Sequence, residues 1–573
     1  MIVDHSILTR TDTAYDLVVV GGGAAGLTLA EAAGANGLHV LLIEAGGFHE
    51  TTSGRTALAG ELVSPGVHPA LDLYRVRALG GASRIWGGRC IPMDPIDFEP
   101  REWIPHSGWP IAYDEIAAYY PQAVGVAEAG QSEFEPSAVL ANEQPELAPG
   151  LDGEIIRTTI ERFSRPTNFW KRFAETLTAS SRVQVLPDTC LARVALDESG
   201  SAVRAVVVMD QAGRKYEVRA SNFALALGGL ETTRILLASR DVKPSGIGND
   251  FDQLGRYYMS HLCTNGGVVD FTKSAHALAY DYERDPDGIY VRRRLWLTED
   301  TQRAFRLANM TFRTHLPDPG NPAHRNGILS AMFLSKSFVQ REYAAKFSEG
   351  QVTPSDYFRH VANVLRDPLE LARFAALWTR KRVLSDRKLP SVVLPSANHH
   401  YQLEFHAEQM PNPDSRVGLS TALDNNGLPR LKVDWRLLDD DVEGLVRAHH
   451  VLKDELERTG TGQLSFDDDT LRSRIRLNSI VGGHHLGTTR MSPTPTTGVV
   501  DGDCRVHGIA NLYIASASVM PTSGQANPTL TIIALALRLA KHLNNRRASV
   551  PEMTSEAEPV AADTKSRMLV DSA

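Results

Sequence analysis

Cysteine is scarce: Cys90, Cys190, Cys263 and Cys504 are the only four in 573 residues. No two have the spacing of a zinc ribbon, a redox pair or an iron–sulfur cluster, so a reduced, metal-free protein is expected. A basic excess is also missing. The 60 Lys and Arg against 68 Asp and Glu leave a formal charge of −8, without the electrostatic footprint of a nucleic-acid binder. No apolar run reaches about 18 residues, the length of a membrane span. The first residues lack a basic region followed by an apolar one, the pattern of a secretion signal, so a cytoplasmic location is expected. Gly and Pro are scattered and no internal repeat is visible, which removes collagen-like and disordered classes. The length suggests roughly two to four folding units.

The first positive signal is near the N-terminus. Leu17 to Val20 is a short apolar run rich in β-branched residues, which reads as a buried parallel strand. It ends in Gly21-Gly22-Gly23-Ala24-Ala25-Gly26, followed by a helical pattern and a second apolar strand, Val40 to Ile43, closed by Glu44. Strand, Gly-x-Gly-x-x-Gly, helix, strand and acidic residue form the dinucleotide fingerprint in its required context. Gly21 permits the tight turn, Gly23 lets a pyrophosphate approach the backbone, and Gly26 brings helix and strand together. The helix N-terminus favours phosphate, and Glu44 can accept from a ribose diol. This unit alone leaves FAD and NAD open.

A second glycine-rich stretch holds Gly80-Gly81, Ser83 and Gly87-Gly88, suggesting backbone laid against a flat ligand; a surface loop is the alternative. From Val183 to Val218 short strands alternate with turn signals, and Asn222 to Leu227 reads as a further strand entering a helix. From about Cys263 to Trp435, β-rich runs predict a second domain built on an antiparallel sheet. Within it, Ser355 to Leu389 reads as helical, broken near Pro368, with a basic end. That segment reads as an insertion packed on the body, with peripheral contact to a membrane surface or acidic partner as the alternative. The tail over 549–573 is polar and expected to be disordered.

Two late segments carry chemistry: Gly482 to Met491, with His484 and His485, and Pro521 to Thr531, with Asn527. A histidine in a glycine-bounded loop suits proton transfer near neutral pH, and an asparagine can hold a hydroxyl oxygen without adding charge.

The fingerprint with Glu44, the Gly80 to Gly88 loop, Pro411 to Val417, His484 to Met491, Val499 to Gly508 and Gln525 to Thr531 occur in this order. Together they resemble the glucose–methanol–choline (GMC) flavin oxidoreductases from about residue 15 to 545. Trp86-Gly87-Gly88, Ser107 to Pro110 and Ala526 to Thr529 are similar to the branch of pyranose oxidases and glucoside 3-dehydrogenases. The resemblance implies an α/β FAD-binding Rossmann-like domain (15–265 with excursions, and again 481–545) and an α+β substrate domain (266–480) with an antiparallel sheet. It implies FAD, with Gly21, Gly23, Gly26, Glu44, Gly80, Gly81, Ser83, Gly87, Ser516, Asn527, Pro528 and Thr529 near it. By position His484 matches the catalytic histidine and Asn527 the second active-site residue. Ile85 stands where covalently flavinylated relatives carry histidine, so non-covalent FAD is expected. Gln525 and Ser516 replace the His and Asp of many relatives. The expected reaction oxidises an alcohol, on a sugar or glycoside, to a carbonyl, with the electron acceptor open. A flavin-bearing lyase and a flavoprotein subunit of an electron-transfer complex are the alternatives.

Overall fold

A computed structural model describes residues 1–9, 14–140, 146–273, 277–336, 353–366, 368–394 and 400–549. The expected tail lies outside them from residue 550 onward, and Ser549 itself ends the last helix, Thr529–Ser549.

The N-terminal apolar run forms the strand Tyr15–Val20 at the centre of a five-stranded parallel sheet. On one side it pairs with Val40–Ile43, which in turn pairs with Val183–Leu186. On the other it pairs with Ala220–Leu225, followed by Leu512–Ile514. Such a strand is buried on both faces, which explains the absence of alternation: Leu17, Val18, Val19 and all of Val40–Ile43 are fully buried. Each such side chain contributes about 1.5–3 kcal/mol by leaving water. The helix Ala24–Ala35 covers one face and packs against Thr529–Ser549, so segments from early and late in the chain meet here. Strand order reverses beside Tyr15–Val20, and ligands of open α/β sheets bind in the crevice beyond the carboxyl ends at that point.

The second layer is a larger antiparallel sheet. Its strands run Gly462–Ser465, Leu262–Phe271, His400–Ala407, Met310–His315, Tyr290–Leu297, Ile156–Phe163 and Arg89–Cys90, with Tyr282–Arg284 also pairing to Tyr290–Leu297. Most of it comes from the expected substrate span. Arg89–Cys90 and Ile156–Phe163 are excursions from the earlier part of the chain, and Leu262–Phe271 straddles the expected boundary at 265/266. Smaller sheets are Cys190–Leu196, Val203–Met209 and Lys215–Val218, joined by hairpins, and Arg416–Leu423 with Pro429–Asp434 and Gly60–Leu62. The helical segment divides into Pro354–Arg366 and Pro368–Trp378, and these pack on Gly327–Leu334. Residue 367, between the two helices, lies outside the described residues, and with it the expected break near Pro368.

Candidate active site

The fingerprint turn is built as its residue types require. Gly21 has φ +113°, and a Cβ there would lie 2.4 Å from the carbonyl oxygen of Ala226; a Cβ on Gly26 would lie 1.8 Å from that of Gly21. Gly23, which caps Ala24–Ala35, differs: a Cβ on it would meet nothing within 4 Å. Crowding therefore explains Gly21 and Gly26, while Gly23 faces open space at a helix N-terminus, the place a pyrophosphate needs. The second glycine-rich stretch closes over the first. Gly80 N–H donates to Gly22 O at 2.8 Å, and Gly81, at φ +53°, would bring a Cβ within 2.9 Å of Gly23 Cα.

Glu44 is buried, and each carboxylate oxygen accepts one backbone N–H, from Gly22 at 2.7 Å and Gly46 at 2.9 Å. Burial raises its pKa, opposed by those two N–H donors. Glu44 thus ties the turn together and keeps a second lone pair on each oxygen for a ribose diol. Ser83 Oγ donates to Gly80 O at 2.6 Å and accepts from Phe169 N–H at 3.1 Å, so its contacts fasten the loop. Gly87 is exposed in the same loop. Ser516 Oγ accepts from Ser518 N–H at 3.1 Å in the turn that follows Leu512–Ile514. Pro528 and Thr529 begin the long C-terminal helix, with Pro528 O accepting from Ile532 N–H at 2.9 Å.

The late histidine and asparagine meet. Asn527 Nδ2 lies 3.1 Å from His484 Nε2, and His484 Nδ1 lies 2.8 Å from Nδ1 of His261, a residue the sequence reading had passed over. His261 Nε2 is 3.1 Å from the carbonyl oxygen of Ser523. These partners assign the protons. A carbonyl only accepts, so His261 carries its proton on Nε2. Burial pushes its pKa down to about 4, so at neutral pH its Nδ1 is a lone pair. That lone pair accepts from His484 Nδ1–H, leaving His484 Nε2 as the basic atom, and Asn527 Nδ2–H donates to it. The asparagine Oδ1 is buried without a hydrogen-bond partner, which leaves an acceptor for a ligand to satisfy. His406 stacks on His261 at 4.8 Å and donates from Nδ1 to Gln525 O at 2.7 Å; burial first, then the neighbouring His261, hold its pKa well below the usual range.

One ring nitrogen from each of His261, His406 and His484 lies within 4.8 Å of the others, a spacing also found in metal sites. The 2.8 Å between the two Nδ1 atoms is a hydrogen-bond length, however. Nitrogens bound at about 2.0–2.1 Å to a tetrahedral zinc would sit about 3.3 Å apart. His485 occupies different surroundings, stacked on Tyr258 at 6.2 Å, with its pKa pushed down to about 3 by burial and then by Arg75 and His68.

Comparison with known proteins gives the family. The family model for FAD dependent oxidoreductases matches residues 16–332, and the GMC oxidoreductase model matches residues 411–536. The chain belongs to the GMC family of FAD-dependent oxidoreductases. It is 26% identical to paromamine 6'-oxidase of Streptomyces fradiae, over 92% of this chain and 91% of that one. It is 26% identical to 6'''-hydroxyparomomycin C oxidase of Streptomyces lividus, over 94% and 93%. Among solved structures, pyridoxine 4-oxidase from Mesorbium loti shares the fold, with a TM-score of 0.52, 19% identity and coverage of 92% and 99%. FAD is the cofactor, and the open approach at Gly23 and the spare lone pairs of Glu44 fit it.

In this GMC enzyme the loop carrying Asn527 is fixed by groups from four directions. A Cβ on Gly524, at φ +58°, would lie 2.5 Å from Asp97 Oδ2; Thr522 Oγ1 accepts from Trp109 Nε1 at 2.8 Å and donates to Asp97 O at 2.8 Å. Ser523 Oγ accepts from Gln409 N–H at 3.0 Å. Gln525 links Arg294, whose Nη1 donates to its Oε1 at 2.5 Å, to Asp94, which accepts from its Nε2 at 2.9 Å. The Ser107 to Pro110 motif thus acts through Trp109 as an anchor. His261 and His406 offered no motif to the sequence: each stands alone in a β-rich stretch, and only the sheet brings them behind His484.

Proposed function

We propose that this chain oxidises an alcohol group of a sugar or glycoside to a carbonyl. The observation that carries the proposal is the ordered hydrogen-bonded chain Ser523–His261–His484–Asn527, in a protein that also builds a dinucleotide cradle. A substrate hydroxyl takes the place of the Asn527 amide on His484 Nε2 and gives its proton there, and His261 stabilises the resulting imidazolium by accepting from its Nδ1–H. Asn527, which occupies His484 Nε2 before substrate binds, then donates from Nδ2 to the substrate oxygen. Bound FAD supplies the hydride acceptor. The names of the two Streptomyces relatives support an amino sugar as the first substrate to try. Ile85 offers no nucleophile, which supports a flavin held without a covalent bond; acid precipitation should then release the yellow chromophore into the supernatant.

The test is anaerobic. A panel of amino sugars, glycosides and simple alcohols is mixed with the yellow protein and the flavin absorbance followed. A sugar of the panel should bleach it, and His484→Ala should stay yellow yet bleach about 10²–10⁴-fold more slowly, the usual contribution of a positioned base. Near-normal reduction of His484→Ala would remove that residue from the role.

A further inference from the structure

The helix Pro354–Arg366 is amphipathic in an inverted sense. Two of its polar side chains, His360 and Asn363, face the body. His360 is buried, with Nδ1 3.0 Å from Ser330 Oγ and its ring stacked on Phe333 at 4.3 Å, and Asn363 Nδ2 donates to Pro322 O at 3.0 Å. With 3.6 residues per turn, Phe358, Val361 and Leu365 fall on the opposite side. They are 78%, 45% and 72% exposed. Leu369 and Leu377 extend the exposed apolar surface along Pro368–Trp378, and Val383 and Leu384 extend it past that helix. Of 17 exposed large apolar side chains among the described residues, eight fall between Tyr357 and Leu384. Single exposed apolar residues are ordinary, but a contiguous group marks a contact surface.

Charge says what kind. Residues 353–388 hold eight Lys and Arg against four Asp and Glu, in a chain whose formal charge is −8. Arg359, Arg366, Arg373, Arg380 and Lys381 are exposed alongside the apolar side chains. A second copy docking through the same patch would set these cations against themselves. An anionic phospholipid surface neutralises them while its acyl boundary receives the apolar side chains. No described helix is long and apolar enough to cross a membrane, so the contact lies in the plane of the interface.

We propose that the ridge from Tyr357 to Leu384 is a peripheral anchor for anionic phospholipid membranes. Phe358, Leu365, Val383 and Leu384 enter the headgroup–acyl boundary, and Arg380 and Lys381 pair with lipid phosphates.

The test uses the full FAD-loaded chain and sedimentation with vesicles of phosphatidylcholine, alone or with roughly one-third phosphatidylglycerol. The chain should pellet with the anionic vesicles, and raised salt should weaken this. Phe358→Ser with Leu365→Ser should lower partitioning about tenfold or more, since each loses a buried apolar side chain. Arg380→Gln with Lys381→Gln should abolish the preference for anionic lipid. Both variants should retain flavin and activity on a dissolved substrate. Absence of pelleting, or pelleting that neither variant changes, overturns the proposal. So does light scattering that finds a dimer, or purification that finds a bound subunit, which Phe358→Ser with Leu365→Ser releases.

Discussion

His261 touches neither the substrate oxygen site nor the cofactor cradle, yet it decides which nitrogen of His484 is basic. It is a positioning residue, and its removal has a recognisable signature. His261→Phe leaves His484 Nδ1–H without its acceptor, so flavin reduction should slow by about 10–10², and the pH profile of that step should move. His261→Gln can still accept at Oε1 and donate at Nε2, and it should recover a good part of the rate and the original profile. Stopped-flow reduction across pH checks both; loss without rescue by Gln would point to packing alone. Gly23 gives a second residue-level expectation. Its φ of −84° suits any residue, and a Cβ there meets nothing in the protein itself. Gly23→Ala should therefore melt like the parent when both are stripped of FAD, and bind FAD more weakly. Equal FAD affinity would mean that the phosphates do not pass this position.

At the scale of elements, the loop from Pro521 to Pro528 is held by side chains from distant segments, and one buried ion pair stands behind it. Arg101 Nη1 and Nη2 donate to the two oxygens of Glu408 at 2.7 Å each, with neither side chain exposed. Breaking such a pair by removing one member costs about 3–5 kcal/mol, because the other charge stays buried. Arg101→Met should lower stability by about that amount, and Arg101→Met with Glu408→Gln should recover part of it; chemical denaturation of the two variants measures this. The strands and helices around this loop were largely legible in sequence. Leu17 to Val20 and Val40 to Ile43 read as parallel strands because burial on both faces removes alternation. The arrangement behind Asn527 was not legible. Trp109 meets Thr522 across 413 residues of chain, and His406 meets Gln525 across 119. No local pattern encodes a partner so far away.

For the whole molecule, several histidines are buried in the neutral form. His68, His261 and His449 are each pushed down to about 4, in every case chiefly by burial. The unfolded chain takes up their protons as pH falls through about 6.5, whereas the folded protein resists until about 4, so stability falls with pH across that window. Each contributes a slope of up to about 1.4 kcal/mol per pH unit there. The melting temperature should drop steadily from pH 7 to pH 5, and replacing His449 with Phe should flatten the slope; a melting curve independent of pH would contradict the burial of these rings in neutral form. Sequence alone determined that the chain binds a dinucleotide, because the glycine turn, helix start and acidic residue lie within one short stretch and act through local backbone geometry. It also singled out His484 and Asn527, through their resemblance to family positions. Only the tertiary structure decided which nitrogen of His484 is basic, and that an amphipathic helix turns its apolar side outward. Both depend on groups brought together by sheet register and packing, and nothing in a linear order of residues states which distant surfaces will touch.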